Sequence, residues 1–279
     1  FLGVLLGDGD LNSSTPSITT KNEVVINRAI KCVNKMGMSA SFVSTNRDIY
    51  QINFRKKERS SVYKSDLQIA LELLGLGYKG SEGKFIPHIY LTSDRHDRLE
   101  LLAGLIDTDG SLNNAGYDYI SKSKELANGV VFLCRSLGLA AYMRKTTKSC
   151  QNGFSGEYYR VHISGDCSVI PCVTTKKAPK RKQIKNVLVT GFTAKDVGVG
   201  RYYGFTVDKD NLYVDGSFTV HHNSGKTALA CHMMSTAASR DLSSFFLVHQ
   251  NELLNQTSKA LWHNKLQHGI IASGRASTD

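Results

Sequence analysis

Apolar residues follow two periods along the chain, and those periods divide it into elements. "LGVLLGD" (2–8) and "LLAGLIDTD" (101–109) are apolar nearly all round, the pattern of helices buried on every side. Each runs into an Asp-Gly pair, Asp8-Gly9 or Asp109-Gly110, where the helix should stop. A strand pair is expected next in both places. Helical spacing then returns over Glu23–Met36 and over Lys124–Leu137, the second with Ser123 as its N-cap. These helices end at Gly37 and Gly138, residues suited to a left-handed C-cap. Strands follow at Ser39–Ser44 and Ala140–Lys145. Strict alternation over Tyr50–Phe54 and Tyr159–Ile163 predicts strands with one apolar face. The other face carries Gln51, Asn53, Arg55, Arg160 and His162.

The two series are one series repeated. Asp8 aligns with Asp109 at an offset of 101 residues, and the same offset places Gly3 on Gly104, Leu11 on Leu112 and Gly37 on Gly138. A shared register over this length indicates two copies of one structural unit. Small residues recur four apart on the apolar helices, Gly3 with Gly7 and Gly104 with Thr108. Such spacing lets two backbones approach closely. A pairing along these helices brings Asp8 and Asp109 together at two helix C-termini. A carboxylate is disfavoured there by about 0.3–1 kcal/mol, and two of them also repel. A bound divalent cation would remove both problems, and hard oxygen ligands suit Mg²⁺.

Composition sharpens this picture. The net charge of +11 divides as +3 for 1–100, +7 for 101–200 and +1 for 201–279, with a peak in "KKAPKRKQIK" (176–185). A basic surface of this kind favours polyanions, nucleic acid first. None of the six cysteines forms a C-x-x-C pair, which argues against zinc or disulfides and suits a reducing cytoplasm. No apolar run is long enough to cross a membrane. At 279 residues there is room for about two domains of ordinary size. The absence of an initiator Met and the abrupt apolar start suggest a fragment.

On these residues the chain resembles the LAGLIDADG homing endonucleases, in the two-repeat single-chain form carried by inteins. "LLAGLIDTDG" is close to the motif that names the family, and "LGVLLGDG" resembles its first-copy variant. The resemblance covers residues 1 to about 185. It implies an α+β fold: a pseudo-twofold pair of αββαββα units, with repeats at 1–100 and 101–185. It also implies a monomer whose sheets form a basic saddle on double-stranded DNA. By the same resemblance Asp8 and Asp109 bind Mg²⁺ and direct metal-activated water at each strand. Lys84, in "GKFIPHIYL", matches the family's K-x-I-P lysine, and its partner is Lys177 or Lys176 in "TTKKAPK". These lysines would stabilise charge on the scissile phosphate. Bases would be read by Gln51, Asn53, Arg55, Arg144, Arg160 and His162, with Lys176, Lys180, Arg181 and Lys182 as further DNA contacts. The alternative is a DNA-binding relic of the same fold without cleavage.

Beyond the basic run, strands are expected at Tyr202–Val207, Asn211–Val214 and Ser217–Val220, with turns at 208–210 and at Asp215-Gly216. The stretch "VHHNSGKT" (220–227) carries the end of a G-x-x-x-x-G-K-[ST] phosphate loop whose first glycine is replaced by Val220. The segment 186–223 resembles the C-terminal splicing block of inteins, a partial all-β Hint domain. By that resemblance Asn223 cyclises onto its own backbone carbonyl, His222 assists, and Ser224 is the downstream nucleophile. The family's acid in the first strand is Gly204 here, and its more distant His falls on Asp210 or Asn211. The N-terminal splicing block is absent, so this chain should not splice, although cleavage after Asn223 is possible. An insertion there would explain the interrupted loop, which ligation would restore.

Residues 224–279 then read as the partial α/β P-loop segment of a host ATPase. Its expected order is a helix at 227–240, an apolar strand at 243–249 and an amphipathic helix at 251–266. "LVHQNELLNQTSKAL" resembles motif Ia of superfamily 2 helicases. In the ligated host, Gly225, Lys226 and Thr227 would hold ATP and Mg²⁺, and ATP-dependent helicase action is a third reading. The interrupted loop should not bind ATP in this chain.

Overall fold

The first helix, α1 (Leu2–Asp8), is short and makes sense only as half of a pair. Its partner is α5 (Arg95–Asp109), which starts at the side-chain N-cap Asp94, ahead of the apolar stretch that gives it away in the sequence. A Cβ built on Gly3 would lie 2.3 Å from the Leu101 carbonyl oxygen and 3.1 Å from the Gly104 Cα. The helices therefore touch backbone to backbone at Gly3 and Gly104, and a larger residue at either point would push them apart. Leu5, Leu6, Leu102, Leu105 and Ile106 are almost wholly buried around this crossing. At about 1.5–3 kcal/mol for each such side chain, burial far exceeds the helix-end cost of the two acids.

The computed structural model describes residues 1–45, 49–56, 64–149, 155–179, 183, 186–189, 191, 193, 195–196, 212–222, 226–248, 251–272 and 275–277. The chain divides into two compact units, Phe1–Ala194 and Lys195–Asp279.

In the first unit, α1 is followed by β1 (Gly9–Asp10), β2 (Ser17–Thr20), α2 (Glu23–Lys35), β3 (Met38–Thr45) and β4 (Ile49–Lys56). Two further helices, α3 (Asp66–Leu73) and α4 (His88–Leu91), lead to α5. The series then repeats as β5 (Gly110–Asn113), β6 (Gly116–Ser121), α6 (Lys124–Ser136), β7 (Ala140–Ser149) and β8 (Ser155–Ser164). Both sheets are four-stranded and antiparallel, in the equivalent orders β1-β2-β4-β3 and β5-β6-β8-β7. One core serves both halves, since Ile18, Ile52 and Phe54 of the first sheet and Tyr117, Tyr119 and Val161 of the second belong to it. Gly37 and Gly138 take φ of +72° and +83°, the left-handed caps expected of them. Asn22 and Ser123, equivalent under the repeat, both N-cap by accepting backbone amides, from Val24 and Leu126.

The second half departs from αββαββα at its end. Among the described residues its closing helix is replaced by 3₁₀ turns at Cys167–Val169 and Thr175–Lys177. Pro171 follows Ile170, and a residue before proline is driven out of the α region; Ile170 has φ −81° and ψ 117°.

In the second unit, β9 (Leu212–Val214) and β10 (Val220–His222) form an antiparallel hairpin, with His221 opposite Tyr213. The strand expected at Ser217–Val220 begins only at Val220. The Asp215 carboxylate accepts from the amides of Ser217 and Thr219, and Phe218 sits at φ +63°, so 217–219 belong to the turn. Helices α7 (Lys226–Ala238) and α8 (Asn251–His263) occupy the expected places. The apolar stretch 243–248 forms no strand, a correction to the sequence reading. Phe245 is 86% and Leu247 91% exposed, and among the described residues no strand pairs with this stretch. A continuous apolar strand is stable only with neighbours on its edges and cover on its faces. A hairpin of β11 (Ile270–Ala272) and β12 (Arg275–Ser277) was not foreseen.

Candidate active site

The crossing of α1 and α5 delivers Asp8 and Asp109 to the same end of the helix pair. The Asp109 Oδ2 lies 3.3 Å from where a Cβ on Gly7 would stand. Burial raises both carboxyls above the usual carboxylate range. For Asp109, which the Asp8 charge raises further, the value is pushed up to about 6. Lys84 and Lys177 oppose the shift at both acids, and a hydrogen bond with the Thr20 side chain also opposes it at Asp8.

The two lysines do something the sequence does not disclose: each caps one of the paired helices. The Lys84 Nζ donates to the carbonyls of Leu5 (3.3 Å), Leu6 (3.0 Å), Gly7 (3.2 Å) and Gly9 (2.6 Å), at the end of α1. The Lys177 Nζ donates to the carbonyls of Ile106 (2.8 Å), Asp107 (2.7 Å) and Thr108 (2.9 Å), at the end of α5. The Leu5 and Ile106 carbonyls also accept from the cap amides of Gly9 and Gly110, but a helix C-terminus leaves its last carbonyls short of partners and carries partial negative charge, so an ammonium group satisfies both needs. Of the two candidates in the basic run, Lys177 reaches the site, while Lys176 is exposed. Burial lowers the pKa of both lysines, and the neighbouring carboxylates oppose that shift.

The straps that carry these lysines are tied across the repeat. Ser123, the N-cap of α6, donates its hydroxyl to the Lys84 carbonyl at 2.6 Å. Asn22, the N-cap of α2, donates to the Thr174 hydroxyl at 2.7 Å. Lys84 therefore caps a helix of the first half from a strap held by the second, and Lys177 does the reverse. The equivalence ends at Asp107. Its buried carboxylate accepts from the amides of Val173 and Thr174, both at 2.9 Å, while the repeat places Leu6 at the equivalent position. Tyr117 adds a hydrogen bond to the Lys177 carbonyl at 2.5 Å. Tyr119 is wholly buried, and its hydroxyl has no protein partner; burial and the nearby acids hold its pKa well above the ordinary tyrosine value.

The donor set fits a hard divalent cation. Two carboxylates converge, both destabilised as anions by burial and one by the other. Among the described residues no group of three or more His, Cys, Asp or Glu gathers to hold a metal by itself. A cation held by two carboxylates would complete its coordination with water and phosphate oxygens, the arrangement Mg²⁺ commonly adopts.

Alternation places Gln51, Asn53 and Arg55 on one face of β4, and Arg160 and His162 on one face of β8. Arg144 lies directly across from Arg160 and is exposed. Gln51 donates to the hydroxyl of Ser17 at 3.4 Å and stands beside the Asn53 side-chain oxygen at 3.5 Å. Lys180, Arg181, Lys182, Asn223, Ser224 and Gly225 lie outside the described residues, as do the side chains of His222, Lys226 and Thr227. In the second unit it is His221, the residue before His222, that has a described partner: its Nε2 lies 3.0 Å from the Asp215 carboxylate.

The fold and site define a class: two pseudo-equivalent α/β halves joined by crossing helices, with one acid at the end of each helix. Residues 97–170, from within α5 to the first 3₁₀ turn, match a family model described as "LAGLIDADG-like domain". Among solved structures, the chain is similar to I-DmoI in complex with DNA and Ca, at 15% identity over 58% of this chain and 80% of that one, with a TM-score of 0.40. It is similar to I-WcaI bound to its DNA recognition sequence, described as a homing endonuclease, at 13% identity over 58% and 73%, TM-score 0.34. It is also similar to full-length DUF199/WhiA from Thermatoga maritima, at 12% identity over 61% and 51%, TM-score 0.40.

Proposed function

We propose that the unit Phe1–Ala194 is a divalent-metal-dependent, site-specific endonuclease of double-stranded DNA, with repeats divided near residue 100. The observation that carries this reading is the pair Asp8 and Asp109, brought together at the ends of α1 and α5 and shifted toward protonation by burial. A pair placed so adversely is explained by a ligand that needs it. When bound, a divalent cation such as Mg²⁺ would lower the pKa of attacking water and stabilise the leaving oxygen. Asp8 and Asp109 hold that cation. Lys84 and Lys177 act from behind them: the ammonium groups bond to helix carbonyls and favour the ionised carboxylates electrostatically, rather than reaching for the phosphate. The polar faces of β4 and β8 supply base and backbone contacts through Gln51, Asn53, Arg55, Arg144, Arg160 and His162, and the basic run 176–182 adds charge for phosphates.

The test begins with a duplex selected by the full chain from a random pool. Asp8→Asn and Asp109→Asn should each leave binding to that duplex intact and lower its cleavage by at least about a hundredfold, in line with loss of a preorganised charge. Cutting at the unaltered rate by either variant would remove the acids from the chemistry.

A finer reading concerns residues 186–279, and "HNSGKT" (222–227) supports it. We read 186–223 as the end of an intein splicing domain and 224–279 as the beginning of the host ATPase. Asn223 then cyclises with His222 as its acid or base. Asn223→Ala should stop release of the 224–279 segment, followed by mass spectrometry; unchanged release would refute the cyclisation.

A further inference from the structure

Asp118 stands on the same face of the second sheet as the arginines. The register aligns Ser111, Asp118, His162 and Tyr142 in one row across β5, β6, β8 and β7. Two residues along, Arg160 and Arg144 face one another. Asn113, Asp118, Tyr142, Arg144, Arg160 and His162 line a concavity of about 420 Å³. Of the described residues whose alternation places them on this face of the four strands, Asp118 is the one carboxylate.

The carboxylate is held firmly. Its Oδ1 lies 3.0 Å from the His162 Nδ1, and its Oδ2 accepts from the Asn113 amide at 3.0 Å. Burial opposes its ionisation, but the His162 and Asn113 bonds and the Arg160 charge outweigh that and keep the carboxyl below the usual range. Each oxygen retains acceptor capacity after these bonds. A fixed anion in a surface that meets a polyanion repels every phosphate near it. His162, Asn113 and Arg160 offset that repulsion from within the sheet, and a hydrogen-bond donor on the duplex placed opposite its free lone pairs would offset it further. The duplex offers such donors at base edges: in the major groove, the N4 amino group of cytosine and the N6 amino group of adenine. Adenine places the N7 acceptor beside its amino group, against the carboxylate, whereas cytosine presents the donor alone. The guanine paired with that cytosine presents O6 and N7, acceptors suited to Arg160 and Arg144.

We propose that Asp118 is a specificity-determining residue that accepts a hydrogen bond from the N4 amino group of a cytosine in the major groove of the bound duplex. The inference rests on the DNA-binding reading above and assigns to that surface one base at one position. His162 and Asn113 act as positioning residues that fix the carboxylate.

Selection of duplexes from a randomised pool by the full chain, in EDTA so that no strand is cut, tests it. The unaltered chain should enrich cytosine at one position of one half-site by about tenfold over other bases. Asp118→Asn should lose that preference, and lose it in favour of adenine, which an amide can pair with in two places. All other positions should keep their preferences, a result that a merely structural role for Asp118 would not give. Identical base preferences for Asp118→Asn and the unaltered chain would overturn the assignment while leaving DNA binding intact. Enrichment of no duplex by the unaltered chain would overturn both. A second arm needs no protein variant: replacing the selected cytosine with 2-pyrimidinone, which lacks the amino group, should weaken binding about tenfold. Undiminished binding to that duplex also overturns the assignment.

Discussion

Replacing Asp109 with asparagine should stabilise the protein at neutral pH. The carboxyl titrates at about 6 in the folded chain against an ordinary value of 3.8, chiefly because burial and then Asp8 disfavour its anion, with Lys84, Lys177 and Lys148 opposing. Between those two pH values the folded state binds more protons at this site than the unfolded state does. Stability therefore falls as pH rises through that window, and the cost is complete above it. A shift of about two pH units corresponds to about 3 kcal/mol. Asp109 has an exposed face, so solvent screening reduces this to about 1–2 kcal/mol. Asparagine keeps the size and drops the charge. Urea unfolding of the full chain, followed by the tyrosine near-ultraviolet signal, should show Asp109→Asn more stable than the parent by about 1–2 kcal/mol at pH 7. The gap should close on acidification and vanish by pH ~4. Mg²⁺ should raise the stability of the parent more than that of the variant, because only the parent offers two anionic ligands. A gap that stays constant from pH 4 to pH 7 would show that the carboxyl is not strained by its surroundings.

Two further substitutions probe the scaffold beneath the acids. Lys84→Met removes a buried donor from four carbonyls at the end of α1 together with a charge that favours both acids, and should cost about 2–4 kcal/mol in the same urea assay; a loss under about 1 kcal/mol would refute its capping role. Gly3→Ala puts a methyl group 2.3 Å from the Leu101 carbonyl, whereas Gly104→Ala meets its nearest atom at 3.0 Å. Both should destabilise, Gly3→Ala by about 1–3 kcal/mol and by more than Gly104→Ala, and the reverse order in thermal melts would contradict the crossing described here.

What the sequence disclosed and what it concealed divide on physical lines. The paired helices were legible because a helix apolar on all sides has no stable place except against another, and because Gly3 and Gly104 mark the closest approach. The strands of both sheets were legible because alternation survives at Tyr50–Phe54 and Tyr159–Ile163. The start of α5 was hidden: Arg95–Arg98 carries no apolar signal, and only the Asp94 cap marks it. A lysine side chain is long and its head has no directional partner in sequence, so Lys84 and Lys177 could be placed near the acids but not on the helix-end carbonyls. The repeat does not disclose the role of residue 107. A reader who trusts the offset assigns Asp107 the role of Leu6, a packing residue, yet its carboxylate binds the strap that carries Lys177. The stretch 243–248 failed for the opposite reason, since its β pattern is strong but a strand is stabilised by the edges beside it, which local sequence does not encode.

The asymmetry at Asp107 and Tyr119 bears on how the two halves of the site would work. The straps differ: Lys84 is buried and its carbonyl is held by the Ser123 hydroxyl, while the Lys177 strap is held by Asp107, Tyr117 and Asn22. Tyr119 has Ile18 as its counterpart, so one half places a phenol near the acids where the other places a hydrocarbon. Equivalent backbones therefore present unequal surroundings to the two acids: the Thr20 side chain hydrogen-bonds Asp8, while the charges of Asp8 and Lys148 act on Asp109. A pseudo-twofold scaffold with unlike half-sites has no physical reason to treat two antiparallel DNA strands alike. The same inequality extends to the sheets, where Asp118 in the second half has Ser17 as its equivalent in the first. Duplication built the frame, and single side chains within it distinguish one half from the other.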